Sequence, residues 1–293
     1  MSDGFAGVRT ATGGEGARLL ARRLVRQRNV VIGGAIVAVV VVIALLAPWI
    51  VPYPIDFTDL LFNWAPPGEE HWLGSDKLGR DILSRLVAGA RTSLVVASAV
   101  LAITLVVGAL VGMVAGYAGG RVDALLMRLV DMTLAFPEVV IAILVAAALG
   151  PGQTTVIVAL ALVWWPGIAR LTRSLVMVIR EELFIDAAIV AGTRPAAIFW
   201  RHLLPNITAP LLVRASVGVG FIIMAEATLS FIGLGIQEPQ ASWGGMIRDG
   251  LPALRTDPYL ALFGSIALGT TVIGFNLLGD GLRDALDPRL QGR

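Results

Sequence analysis

Long apolar runs alternate with short polar stretches along this chain, and apolar and polar positions show no sustained two-residue alternation. Residues 30–51 and 92–120 carry no charge at all. Each is long enough for a helix to cross a hydrocarbon core of ~30 Å, which takes about 20 residues. A third uncharged run, 139–169, is broken by Gly150-Pro151-Gly152-Gln153, a turn signal that divides it between two helices. Residues 139–149 are too few to cross alone, so that helix is expected to begin near Leu129 and carry Asp131, Pro137 and Glu138 with it. The remaining spans are expected at about 155–172, at 207–231 despite Arg214 and Glu226, and at 259–279. The pattern predicts an all-α membrane protein with six transmembrane helices, because lipid leaves the backbone no other way to satisfy itself unless a barrel pattern is present.

The polar interludes carry patterns of their own. Over 181–205, Phe184, Ala187, Ala188 and Ala191 recur at helical spacing, and Gly192 stands where a left-handed C-cap would stop that helix. Thr193 is the expected N-cap of a second helix with Pro195 in its first turn and Ile198, Phe199, Leu203 and Leu204 on its apolar face. Pro205 and Asn206 close the segment, giving a helix–glycine–helix elbow suited to being gripped by another protein. Over 71–94, Ser75 or Asp76 is expected to cap an amphipathic helix. Its Ile82, Leu83, Leu86 and Val87 share one face, with Arg80, Asp81 and Arg85 turned away. Residues 234–258, with several glycines, Trp243 and Pro252, are expected to cover an outer mouth. Gly108, Gly112, Gly116 and Gly120 recur every fourth residue, a stripe that lets a neighbouring helix approach closely.

Composition agrees with a membrane protein. Apolar residues make up 56% of the chain, charged residues 15%, and mean hydropathy is +0.80, whereas globular proteins carry about 25% charged residues. The absence of cysteine excludes disulfides and thiolate metal sites. Placing the N-terminus, 119–130, 170–206 and the C-terminus on one side collects sixteen basic residues there, against six in 52–91 and 232–258. The positive-inside rule then puts both termini and the elbow in the cytoplasm. The apolar run after the six N-terminal arginines is too long for a secretory h-region and reads as a retained anchor. Residues 1–16 read as a disordered tail.

Candidate chemistry is sparse. Carboxylates at membrane depth cost on the order of 2.5–3.5 kcal/mol on insertion scales, so Glu138 and Glu226 are expected to face protein or water. With Asn276, they are candidates for lining a route, while Asp131 and Asp280 suit the bundle edge. His71 and His202 fall on opposite sides of the expected membrane and cannot share a metal. No G-x-x-x-x-G-K-[ST] loop is present, so ATP hydrolysis in this chain is excluded.

Asp186-Ala187-Ala188, Gly192, Ile198 and Leu204-Pro205 resemble, at the same spacing, the EAA loop of the membrane subunits of bacterial ABC importers, with Asp186 where that family usually has glutamate. Residues 71–94, 227–247 and 275–290 resemble the C-type permease of the dipeptide and oligopeptide branch. The resemblance covers roughly 20–290. It implies a type I ABC importer permease fold, with ATPase coupling through Glu182, Asp186, Ala187, Ala188, Gly192, Ile198, Leu204 and Pro205. It also implies a second permease, two ABC ATPase subunits (or one fused) carrying ATP and magnesium, an extracytoplasmic substrate-binding protein and a bacterial cell membrane. The expected organisation is a cytoplasmic tail at 1–29, a first span at 30–51, an extracytoplasmic loop at 52–91, a five-helix core at 92–281 and a cytoplasmic tail at 282–293. Cargo stays open between short peptides, glutathione, nickel chelates and other small solutes. A proton-coupled secondary transporter using Glu138 and Glu226 as relays is the alternative from another class.

Overall fold

Backbone amides find no water in hydrocarbon, so each long apolar run closes its hydrogen bonds inside a helix. The computed structural model describes residue 24 and residues 27–286, and among these the regular elements are all helical. The expected tails at 1–29 and 282–293 lie mostly outside the described residues. Helix α1 is Arg28–Ile50, α2 Ile82–Ala118, α3 Gly120–Leu134, α4 Glu138–Leu149, α5 Gln153–Arg180, α6 Leu183–Val190, α7 Pro195–Ile198, α8 Leu204–Phe231, α9 Trp243–Gly250 and α10 Tyr259–Leu286. Five helical segments are long and apolar enough to cross a membrane, six if α3 and α4 count together as one span.

That pair corrects the expected third span. Phe136 precedes Pro137, and a residue before proline is pushed out of the helical region. Helix α3 therefore stops at Leu134, α4 restarts at Glu138, and the two are bent by 85°. Helix α3 is tied to α5 by ion pairs, Arg173 with Asp123 (Nη2–Oδ2 2.6 Å) and Arg170 with Asp131.

The most extensive helix pairing is between α2 and α5. A Cβ on Gly108 would lie 2.6 Å from the Cβ of Ile168, one on Gly112 would overlap the Ala169 carbonyl, and one on Gly116 would lie 2.9 Å from the Arg173 carbonyl. The neighbour of the stripe is thus within this chain. Gly120 does not belong to the stripe: α2 ends at Ala118, Gly120 has φ +54°, and no heavy atom outside its own surroundings comes within 4 Å of its added Cβ. A second close approach, unmarked by any four-residue repeat, joins α1 to α10. A Cβ on Gly33 would sit 2.7 Å from the Gly274 carbonyl, and one on Gly274 would sit 2.5 Å from Ile36 Cγ2.

On the expected outer side the amphipathic helix of 71–94 is absent as a separate element. Helix α2 already begins at Ile82, because Asp81 caps it by accepting from the Ser84 backbone N–H at 2.7 Å. Asp76 closes the preceding turn instead, accepting from the backbone N–H groups of Leu78 (2.8 Å) and Arg80 (3.0 Å). Nor do the charges face solvent, since Asp76, Arg80, Asp81 and Arg85 are all buried. Arg80 donates to Asp76 Oδ2 and to Glu238 Oε1, both at 2.7 Å, and Lys77 lies 3.6 Å from Asp249. Asp81 also meets buried His71 at 3.0 Å, where the carboxylate can only accept and the ring Nδ1–H donates. Trp243, the first residue of α9, is buried against Gly89 and donates its indole N–H to the Leu86 carbonyl at 3.1 Å. Residues 52–81 and 232–258 are joined by these polar contacts into one cap at the Ile82 end of α2 and the Phe231 end of α8.

Replacing Gly112 by valine should destabilise the detergent-solubilised protein by about 2–3 kcal/mol, because α5 backbone cannot retreat from the new side chain. Gly167→Ala, whose Cβ meets nothing within 4 Å, should be neutral in the same thermal denaturation series. The hydrogen bond from Arg80 holds the Glu238 carboxyl below its ordinary value of 4.5. A depressed carboxylate contributes stability that is complete above the unfolded value and lost as pH falls through the folded one. The thermal midpoint should therefore fall as pH drops below about 4.5, and Glu238→Gln should flatten that dependence by lowering the midpoint at neutral pH toward its acid value.

Candidate functional site

The elbow is built from the end of α5 onward. Arg180 donates to the Tyr117 carbonyl at 2.8 Å and lies 6.0 Å from that ring's centroid, fixing the last turn of α5 on α2. Glu181 reverses the chain. Glu182 takes the N-cap position of α6 with extended backbone and no side-chain cap bond. At the other end Gly192 has φ +77° and donates to the Ile189 carbonyl at 2.9 Å, while Thr193 donates to the Ala188 carbonyl at 3.0 Å. This pair of bonds is a Schellman motif with glycine at the left-handed position, as the sequence predicts. The expected Thr193 cap is corrected: the N-cap position belongs to Arg194, without a side-chain bond, and Pro195 follows at the first helical position.

The burial face of α6 also differs from expectation. Phe184, Ala187 and Ala191 are exposed, and the anchoring side chain is Ile185, fully buried. It packs in one cluster with Ile198, Leu203 and Ile207 from the second arm, Met113 of α2 and Val176 of α5. Ile198 and Leu203 are buried and Phe199 and Leu204 partly so, as read from the sequence.

The second arm does not end at Pro205. Residues Phe199–Leu203 form a π turn in which the Leu204 N–H reaches the Phe199 carbonyl, and the helix runs on as α8. Pro205 has no N–H and its ring crowds the carbonyl four residues back, so a widened turn accommodates it. The Asn206 carboxamide donates to the His202 carbonyl at 2.6 Å. Elbow and fifth span are one helical run, Pro195–Phe231. What this knuckle shows to its surroundings is apolar: Leu183 is 84% exposed, Val190 89%, and Phe184, Ile189 and Trp200 are also exposed, beside Asp186 and Ala187.

The intramembrane polar groups separate into different environments. Glu226 is fully buried, accepting from Ser93 Oγ at 3.1 Å and Ser230 Oγ at 2.8 Å. Within this chain the carboxylate is enclosed by protein atoms. Ser230 also accepts from the Ile236 N–H at 3.1 Å, so this carboxylate organises the junction between α8 and the outer cap. Ser93 and Ser230 are functional neighbours that the sequence reading missed. Ser230 was findable four residues after Glu226, whereas nothing pointed to Ser93, 133 residues away. Arg214 is exposed and does not pair with Glu226. Asn276 is partly buried, with its Oδ1 unpartnered and close to Gly220. Glu138 is exposed at the start of α4, forms no ion pair among the described residues, and lines a cavity of about 210 Å³. The three residues do not converge. Among the described residues no group of three or more His, Cys, Asp or Glu side chains is placed to hold a metal.

Sequence comparison fits this architecture. Residues 108–292 match the family model for the binding-protein-dependent transport system inner membrane component, and residues 17–67 match that for the N-terminal transmembrane domain of oligopeptide transport permease C. A protein of Brucella suis biovar 1 (strain 1330), provisionally named a peptide transport system permease protein, is 42% identical over 93% of this chain and 92% of its own. The dipeptide transport system permease protein DppC of Alkalihalophilus pseudofirmus is 39% identical over 92% of this chain and 89% of its own. The glutathione transport system permease protein GsiD of Pectobacterium atrosepticum is also 39% identical, over 92% of this chain and 90% of its own.

Proposed function

This chain belongs to the family of binding-protein-dependent transport system inner membrane components, and from that premise we propose that it is one permease subunit of an ATP-driven importer of dipeptides or short oligopeptides. A second permease completes the route, and an extracytoplasmic binding protein delivers cargo to the capped outer side. Two ATPase subunits, holding ATP and magnesium, dock on the 181–205 elbow. Both termini and the elbow lie in the cytoplasm of a bacterial cell, as the basic-residue asymmetry favours.

The observation that carries the reading is the elbow's construction. A water-facing knuckle has no reason to display Leu183, Val190 and Trp200 unless another protein covers them. Its second arm runs unbroken into α8, and its first joins α5 through only the two-residue turn at Glu181 and Glu182. Motion imposed on the knuckle by closing ATPases then becomes motion of two membrane helices. ATP shifts the equilibrium only through its different affinity for the two ATPase arrangements. Glutathione, itself a small peptide, is the second reading of the cargo, supported by the equal identity to the dipeptide and glutathione permeases.

Val190→Asp should leave the fold intact, because the side chain is 89% exposed, yet reduce co-purification of the ATPases about tenfold or more. Undiminished co-purification would remove the docking role. Gly192→Val meets no steric neighbour, but forces a β-branched residue into the left-handed region at a cost of about 1–2 kcal/mol. Assembly should persist in part while uptake per ATP hydrolysed falls; uptake at the wild-type ratio would count against coupling through this turn.

A further inference from the structure

We propose that the cavity beneath the α3–α4 break is a cargo subsite at the middle of the membrane, in which Glu138 receives the ammonium group of the passing peptide. The inference rests on the peptide-importer reading and adds the group that cargo meets on its way. Glu138, Ala142, Trp164, Phe221, Met224 and Thr228 line this space of about 210 Å³. Trp164 and Phe221 lean together with ring centroids 6.1 Å apart.

Depth comes from helix rise. Glu138 is eleven residues from the outer end of α4, Trp164 eleven from that of α5, and Phe221 ten from that of α8. At 1.5 Å per residue, these are about 15–17 Å below the outer ends, half of a ~30 Å core. Three separate helices thus bring Glu138, Trp164 and Phe221 to the midplane, as the inner part of a cavity whose Met224 and Thr228 stand nearer the outer end of α8.

Two further features at this level are incompatible with plain lipid contact. Glu138 is an exposed carboxylate that forms no ion pair or side-chain hydrogen bond among the described residues. Asp123, Asp131 and Glu226, by contrast, each have a partner in this chain. The backbone at Ala135–Pro137 is also non-helical and exposed. Irregular backbone at this depth is stable where it borders protein or a water-filled space. A carboxylate beside aromatic and apolar walls offers an ammonium group its counter-charge and ring faces together, and gives an apolar side chain somewhere to lie.

The test uses the full assembly in proteoliposomes, with Ala-Phe as the probe and its binding protein saturated. Wild-type assembly should show ATP-driven Ala-Phe uptake; none would sink the peptide reading and the subsite with it. Given that uptake, Glu138→Gln should lower it about tenfold, while binding-protein-stimulated ATP hydrolysis and co-purification stay at wild-type levels and Glu138→Asp restores most of the loss. Wild-type uptake by Glu138→Gln, or a loss that tracks disassembly, would overturn the subsite alone and leave the importer standing. Because the chain has no cysteine, Glu138→Cys supplies a single thiol for a water-borne trimethylammonium methanethiosulfonate. Modification slowed by Ala-Phe during turnover is expected. Absence of modification, or modification indifferent to the peptide, would also overturn the subsite.

Discussion

The contact between α2 and α5 is set by what is missing from it. Between helices in lipid there is little hydrophobic drive, since the tails are as apolar as leucine, and association depends on how closely backbones can pack. Gly108, Gly112 and Gly116 let α2 lie directly against the carbonyls and β-carbons of α5 from Trp165 to Val176. That seam fixes α5, and α5 in turn fixes what hangs from it. Arg170 and Arg173 reach out of it to hold α3, and Arg180 at its tip is clasped by Tyr117. Ile185 is the first side chain of the knuckle to be buried, and it enters the cluster that contains Val176 and Met113. The elbow is firm because it is seated on this seam; its own eight-residue helix would be marginal alone.

Through α8 the same knuckle is joined to the far side of the molecule. From Pro195 to Phe231 is 37 residues of continuous helix, about 55 Å at ordinary rise. Near its outer end Glu226 binds Ser93 of α2 and Ser230, and Ser230 holds the start of the cap. A tilt begun at the elbow therefore reaches the cap at the opposite end of the helix through covalent structure and one buried carboxylate. The cap is held by charge pairs of its own, chiefly Arg80 between Asp76 and Glu238.

Apolar length and backbone chemistry were legible in the sequence. The long helices, the left-handed Gly192, the helix-opening Pro195 and the close-packing glycines of α2 each follow from a local rule. What could not be read were facts about partners distant in sequence. Arg80, Asp81 and Arg85 look solvent-facing until Glu238, 158 residues on from Arg80, and the turn around Asp76 are placed beside them. The buried face of α6 depends on where α2 and α5 lie, so Ile185 lost to Phe184 on spacing alone. Glu226 was expected to face protein or water, and the hydroxyl of Ser93 that meets it comes from a helix 133 residues away. The break at Pro137 was a local signal passed over, because the need for span length was weighed above the conformational veto that proline places on Phe136.

That break bears on how the protein is made. At 12 residues, α4 is about 18 Å long, well short of what insertion machinery releases sideways as an independent segment. The turn at Gly150–Gly152 joins it to α5, 28 residues and about 42 Å long, so the hairpin as a whole supplies the length that α4 lacks. The short helix thus borrows its reach from the one that follows it.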